Sequence, residues 1–238
     1  MRDAMRHFTA EFIGTFGLVF VGGGAIVAMR DAGALGLVAV ALAHGLILAL
    51  MVTATMRISG HLNPAVTLGF LAVRRIEPMM AGLYIIAQIL GATIAAAALK
   101  GLVPTDQFVA VHGTVQEIAS NVSWGQAFGL EAIATFFLEF VIFGTAVDPR
   151  APQVGGFAIG LTIAADILAI GPLTGASMNP ARSFGPAFIT QNFAGQFVYW
   201  TGPIVGAIVA AVVYDTVLLR GRREVEPVDH GELDTRVS

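Results

Sequence analysis

The chain contains no cysteine, which excludes a disulfide framework, a thiolate nucleophile and a cysteine metal site. It is also poor in charge: Asp, Glu, Lys and Arg make up 12% of its 238 residues, against about 25% in an ordinary soluble domain. So little solvating surface excludes a cytosolic enzyme, a disordered segment and a nucleic-acid binder, and a net charge of −3 supplies no field for steering a polyanion. There is no metal-ligand cluster, no phosphate-cradling glycine loop and no nucleophile with a base beside it, so neither an enzyme nor a cofactor is expected. What the chain has in excess is apolar surface: 56% of its residues are hydrophobic and the mean hydropathy is +0.78. This composition predicts an all-α protein that crosses a membrane several times.

A helix needs about 20 mostly apolar residues to cross the hydrocarbon core. Six stretches qualify: Phe8 to Met29, Ala34 to Met56, Met79 to Leu99, Trp124 to Val147, Val154 to Ile170 and Gln196 to Leu219. The first is too long, and lacks a small-residue cleavage site, to be a removed signal peptide. An even number of crossings puts both termini on one side. With them fall Arg2, Arg6, Arg57, Arg74, Arg75, Arg150, Arg220, Arg222, Arg223 and Arg236, leaving only Arg30, Lys100 and Arg182 for the other. Basic residues favour the cytoplasm, so both termini are expected there, with residues 220–238 as a polar cytoplasmic tail. Two further apolar segments, Leu62 to Val73 and Asn179 to Ile189, are too short to cross alone, and interfacial helices are one reading of them.

An internal repeat offers another. Glu11 lies in A-E-F-I-G-T-F and Glu131 in L-E-A-I-A-T-F; an Asn-Pro-Ala triplet follows each, at Asn63-Pro64-Ala65 and Asn179-Pro180-Ala181. The order of glutamate helix, two more spans and a short Asn-Pro-Ala segment therefore occurs twice, over about 8–101 and 124–219. Three spans per half is an odd number, so the second half inserts upside down, and paired interrupted segments in such a repeat point to the functional site. Asn is a strong N-cap and Pro is preferred at the first helical position, so each triplet predicts a helix start. If the two short helices dip from opposite faces and meet, their N-termini bring two positive dipole ends to one place at mid-membrane, where irregular backbone is tolerated only if protein buries it or it lines an aqueous cavity.

The motifs S-G-H-L-N-P-A-V-T (Ser59 to Thr67) and T-G-A-S-M-N-P-A-R-S-F-G (Thr174 to Gly185) resemble those of the aquaporin, or major intrinsic protein, family, and the resemblance extends from about Phe8 to Leu219. It implies six transmembrane helices and two re-entrant half-helices around one pore, in a single channel domain over 1–219 that assembles as a homotetramer. It also implies that Arg182 is the arginine of the selectivity filter, that His44 and Ala176 occupy filter positions, and that Asp166 aligns with a fourth, where it could pair with Arg182 or His44. Glu11 and Glu131 are implied to accept hydrogen bonds from the loops leading into the half-helices. Ser183 after the arginine, with Ala187 and the pair Tyr199-Trp200, resembles the water-conducting branch; that aromatic pair also reads as interfacial anchoring. Plant vacuolar members likewise carry His at the position matching His44, and some pass ammonia. The expected function is thus a passive water channel in a bilayer that excludes ions and protons, with ammonia, hydrogen peroxide and urea as further candidate solutes. A proton-coupled secondary transporter titrating Glu11, Glu131, Glu139 and Asp166 is the main rival, and a glycerol-type facilitator is another. Gly22-Gly23-Gly24 reads as a close-packing patch between helices. The short loops point to a bacterial inner membrane.

Overall fold

A computed structural model describes residues 2–152 and 154–219; the expected tail at 220–238 lies outside the described residues. Among the described residues, six helices are long and apolar enough to cross a membrane. They are α1 (Arg2–Ala28), α2 (Gly33–Thr55), α4 (Pro78–Leu102), α6 (Trp124–Ile142), α7 (Gly155–Thr174) and α9 (Gln196–Val213). Between them stand two short helices, α3 (Pro64–Ala72) and α8 (Pro180–Thr190), and a six-residue helix, α5 (Thr105–Ala110), in the connection after α4. No strand occurs among the described residues. α6 and α9 each continue into a π-helical turn, at Phe143–Val147 and Tyr214–Leu219. α7 runs past the expected Ile170 with Pro172 inside it, and Gly175 closes the helix in the left-handed region at φ +76°.

The packing repeats with the sequence. α1 lies on α4 as α6 lies on α9, and the short helices exchange partners between halves: α3 packs on α9, α8 on α4. α2 and α7 cross each other, with glycine at the point of contact. A Cβ on Gly45 would come within 2.6 Å of the Gly160 carbonyl oxygen, and one on Gly160 within 2.2 Å of that of Gly45. Without a hydrophobic drive between helices in lipid, such close backbone approach is what gains dispersion contact.

Both half-helices start as their triplets predict. The Asn63 side chain accepts from Ala65 N, and the Asn179 side chain from Ala181 N and Arg182 N, with Pro64 and Pro180 first in each helix. Leu62 and Met178, the residues just before the asparagines, both take left-handed backbone, at φ 51° and 53°. Distal contacts show the directions of entry. The far end of α3 is tied to the end of α9, where Arg75 Nη2 donates to Asp215 Oδ1 over 2.7 Å. The far end of α8 is tied to the end of α4, with Lys100 Nζ 3.5 Å from the Ile189 carbonyl. Those two long helices end on opposite sides, so α3 and α8 enter from opposite sides and meet tip to tip.

Candidate functional site: a passage between two half-helices

Each asparagine caps its own helix with Oδ1 and reaches the other half with Nδ2. Asn63 Nδ2 donates to the Met178 carbonyl and Asn179 Nδ2 to the Leu62 carbonyl, both at 2.8 Å. The left-handed backbone at Leu62 and Met178 turns those carbonyls toward the opposite tip, a conformation that costs a non-glycine residue about 1–2 kcal/mol. Two buried carboxylates hold the loops in it. Glu11 accepts from Gly60 N, His61 N and Leu62 N at 2.7–2.9 Å and from Gln88 Nε2 at 2.6 Å. Glu131 accepts from Ser177 N at 2.9 Å, Met178 N at 2.7 Å and the Thr174 hydroxyl at 2.7 Å. Backbone N–H groups bonded to a carboxylate are charge-assisted and strong.

A narrow cavity runs alongside the tips. Its volume, about 20 Å³, compares with roughly 10–15 Å³ for one water. One wall is apolar, built from Leu48, Val52, Leu138, Ile142, Ile159 and Ile163; the other carries Gly60, His61, Asn63, Asn179 and Arg182. A second, smaller cavity of about 10 Å³ lies beyond, lined by Thr114, Gln116 and Pro186 among others. His44 and Arg182 line both cavities, so the boundary between the two falls at this pair.

That pair is fixed from several directions. Arg182 Nη1 donates to the Ala176 carbonyl at 2.7 Å and the Ser177 carbonyl at 3.2 Å, while Nη2 lies 3.1 Å from His44 Nε2. His44 Nδ1 lies 2.8 Å from the Val40 carbonyl. A carbonyl can only accept, so the proton sits on Nδ1 and Nε2 offers its lone pair to the guanidinium. The imidazole is therefore neutral, bridging helix backbone and arginine. The glycine patch acts here as well. A Cβ on Gly22 of α1 would fall 2.3 Å from His44 Nε2, so Gly22 makes room for this ring and does not merely bring two helices together.

Of the four residues expected at the constriction, His44, Ala176 and Arg182 line the cavity and Asp166 does not. Successive helical residues are rotated by about 100°. α7 turns Ile159, Ile163, Ile167 and Ile170 into the core; Asp166 falls at the edge of that same face, about 60° round from Ile163, half-buried and with no hydrogen bond to Arg182 or His44. Its Oδ2 is buried without a partner. Ile159 and Ile163 are the residues of α7 that reach the passage; the four-residue spacing of Ile159, Ile163 and Ile167 is the signal that marks the inward face. Tyr199 is likewise no interfacial anchor: it is fully buried and its hydroxyl donates to the Thr174 carbonyl at 2.7 Å. Glu139 is buried where α3, α6 and α9 meet, with both carboxyl oxygens unpartnered and Oε1 against Gly69.

Residues 1–214 match the family described as Major intrinsic protein. The chain is 44% identical to Aquaporin TIP4-4 of Zea mays over 236 residues, spanning 94% of this chain and 92% of that one. It is 40% identical to Probable aquaporin TIP2-1 of Oryza sativa subsp. japonica, over 95% of this chain and 93% of that one. Among solved structures, the aquaglyceroporin from Plasmodium falciparum superposes with a TM-score of 0.80 at 28% identity, covering 91% of this chain and 98% of that one. The two sequence relatives are plant proteins, and the expectation of a bacterial inner membrane finds no support in them.

Proposed function

Because the chain belongs to the major intrinsic protein family, a family of membrane channels, we propose that it conducts water passively and excludes ions and protons. The observation that carries this reading is the convergence of both asparagine tips and the His44–Arg182 pair on one narrow passage. Each Asn Nδ2 bears two N–H groups; one is committed to the opposite carbonyl, and the second is free for a passing solute oxygen. A water that accepts from both asparagines directs its own hydrogens outward toward the two mouths. The apolar wall opposite offers no other partner, so an unbroken relay of donors cannot form through the tips. Cations meet two helix N-termini and a fixed guanidinium, which disfavour positive charge.

Asn63, Pro64, Ala65, Asn179, Pro180 and Ala181 are the central constriction in this proposal, and His44, Ala176 and Arg182 the filter. Glu11 and Glu131 support the loops. The bond from Arg182 to His44 keeps the filter closed to glycerol-sized solutes, while ammonia, hydrogen peroxide and urea are small enough to be candidates. Residues 1–219 form one channel domain with both termini and the 220–238 tail in the cytoplasm, consistent with the bias of basic residues. Homotetramer assembly is part of this proposal, and native mass spectrometry reads it directly.

Stopped-flow light scattering on proteoliposomes tests the function, one solute at a time. Water permeability well above that of empty vesicles, linear in the osmotic gradient and without proton movement, is the expected result. Permeability equal to empty vesicles, or saturable flux that dissipates a pH gradient, overturns the proposal.

A further inference from the structure

The inner half of the passage is bounded by His61, whose ring packs 4.4 Å from Phe70 and edge-on to Tyr84 at 5.1 Å. Its Nδ1 is 3.1 Å from the Thr67 hydroxyl. Thr67 directs its one proton to the Asn63 carbonyl and accepts from Gln88 Nε2, so His61 donates through Nδ1. The ring is thus tethered at one nitrogen and braced by two aromatic neighbours. Phe70 belongs to the same half-helix as Thr67 and moves with it; Tyr84 stands on α4 and needs an anchor of its own. Its hydroxyl meets His7 Nδ1 of α1 at 2.5 Å, with the two rings stacked at 5.6 Å and 23°. Ser59 Oγ, the other polar side-chain atom near that hydroxyl, is buried, has no other partner and stands within reach of it.

We propose that His7 is a positioning residue for the inner mouth: by sharing a hydrogen bond with the Tyr84 hydroxyl, it fixes the tyrosine that braces lumen-lining His61 out of the water path. The inference rests on the water-channel reading above. Nothing in the spacing of the sequence marks His7, which lies four residues before Glu11 and 77 before its partner. Without a partner at residue 7, the hydroxyl is drawn to Ser59 Oγ, the polar group left within its reach beside His61. Turning toward it carries the ring edge against His61 and narrows the mouth.

The test is a double-mutant cycle on water permeability per molecule in proteoliposomes. His7→Leu is expected to lower permeability by about threefold or more, whereas His7→Asn, whose carboxamide oxygen can stand in for Nδ1 as acceptor, restores it. Tyr84→Phe has no hydroxyl to satisfy, so both Tyr84→Phe and His7→Leu/Tyr84→Phe should stay within about twofold of the wild type. An equal loss from His7→Leu in both backgrounds makes His7 a packing residue and overturns the inference, as does His7→Leu at wild-type permeability or failure of His7→Asn to restore it. Wild-type protein no more permeable than empty vesicles sinks the channel reading instead, so the two failures are distinguishable.

Discussion

Replacing Gly22 by alanine should close the passage from a helix that contributes no polar group to it. The added Cβ would lie 2.3 Å from His44 Nε2, 2.5 Å from Cδ2 and 2.8 Å from Cε1. Contacts below 3.0 Å are not sustained, so the ring must retreat by at least about 0.7 Å from α1. It cannot retreat freely, because Nδ1 is bonded to the Val40 carbonyl and Nε2 to Arg182. Either the His44–Arg182 bond breaks, at about 1.5–3 kcal/mol for a hydrogen bond to a charged group, or both side chains shift into the lumen together. Alanine in place of glycine gains roughly 0.5–1 kcal/mol of helix stability in return, so the protein should still fold. An added barrier of about 1.4 kcal/mol slows transport tenfold, and a five- to tenfold loss of water permeability is therefore the order of effect expected. Gly24→Ala is the matched control: its Cβ would meet only Leu99, at an ordinary 3.8 Å. Stopped-flow measurement of both variants, normalised to protein content, checks the argument. Gly22→Ala indistinguishable from Gly24→Ala would refute the placement of the His44 ring.

Three other perturbations follow from the geometry. Glu131→Gln turns one acceptor oxygen into a donor facing either Met178 N or the Ser177 and Thr174 donors; with a buried group left unpaired at about 1–3 kcal/mol, the melting temperature in detergent should fall and the loop that anchors Arg182 should loosen, raising urea flux relative to water. Asp215→Asn weakens the bonds from Arg75 Nε and Nη2 that tie α3 to α9; loss of the carboxylate charge should cost about 1–2 kcal/mol, read as a lower unfolding midpoint with water permeability per folded molecule retained. Mercuric chloride should leave water flux unchanged, because the chain has no thiol; inhibition in the same vesicles would refute the prediction.

The centre of this site was legible in the sequence because its chemistry is local. An Asn followed by Pro specifies a helix start within four residues, and two of them at matched places in a repeat specify a meeting point. Glu11 and Glu131 were legible for the same reason, as repeated letters on repeated helices. Asp166 was not: a polar residue in an apolar run draws the eye, yet it stands at the edge of the isoleucine face of α7, about 60° round from Ile163, and Ile159 and Ile163 reach the passage in its place. Gly22 was read as a helix-packing residue because a missing side chain says nothing about which ring occupies the space it leaves. Tyr199 illustrates the converse, an amphipathic ring placed at a helix start whose hydroxyl is satisfied inside the protein by the Thr174 carbonyl. His7 and Tyr84 lie 77 residues apart, and no local rule joins them.

The inverted repeat explains why legibility fades outward. Where the halves touch each other, each tip is the other's partner, so the same bond must be made twice with the same residues: Asn63 to Met178 and Asn179 to Leu62 are one interaction and its image. Away from the tips each half answers to its own surroundings, and any donor that reaches will serve. The inner loop's carboxylate is bonded by Gln88 and the outer one by Thr174; the far end of α3 is held by an ion pair and that of α8 by a lysine near a carbonyl. Asn-Pro-Ala is therefore kept in both halves at the point where symmetry is a bonding requirement. On the proposed reading, the divergence around it is where one half becomes an outer filter with His44 and Arg182 and the other an inner mouth with His61, so that a channel with two different ends selects at one without closing the other.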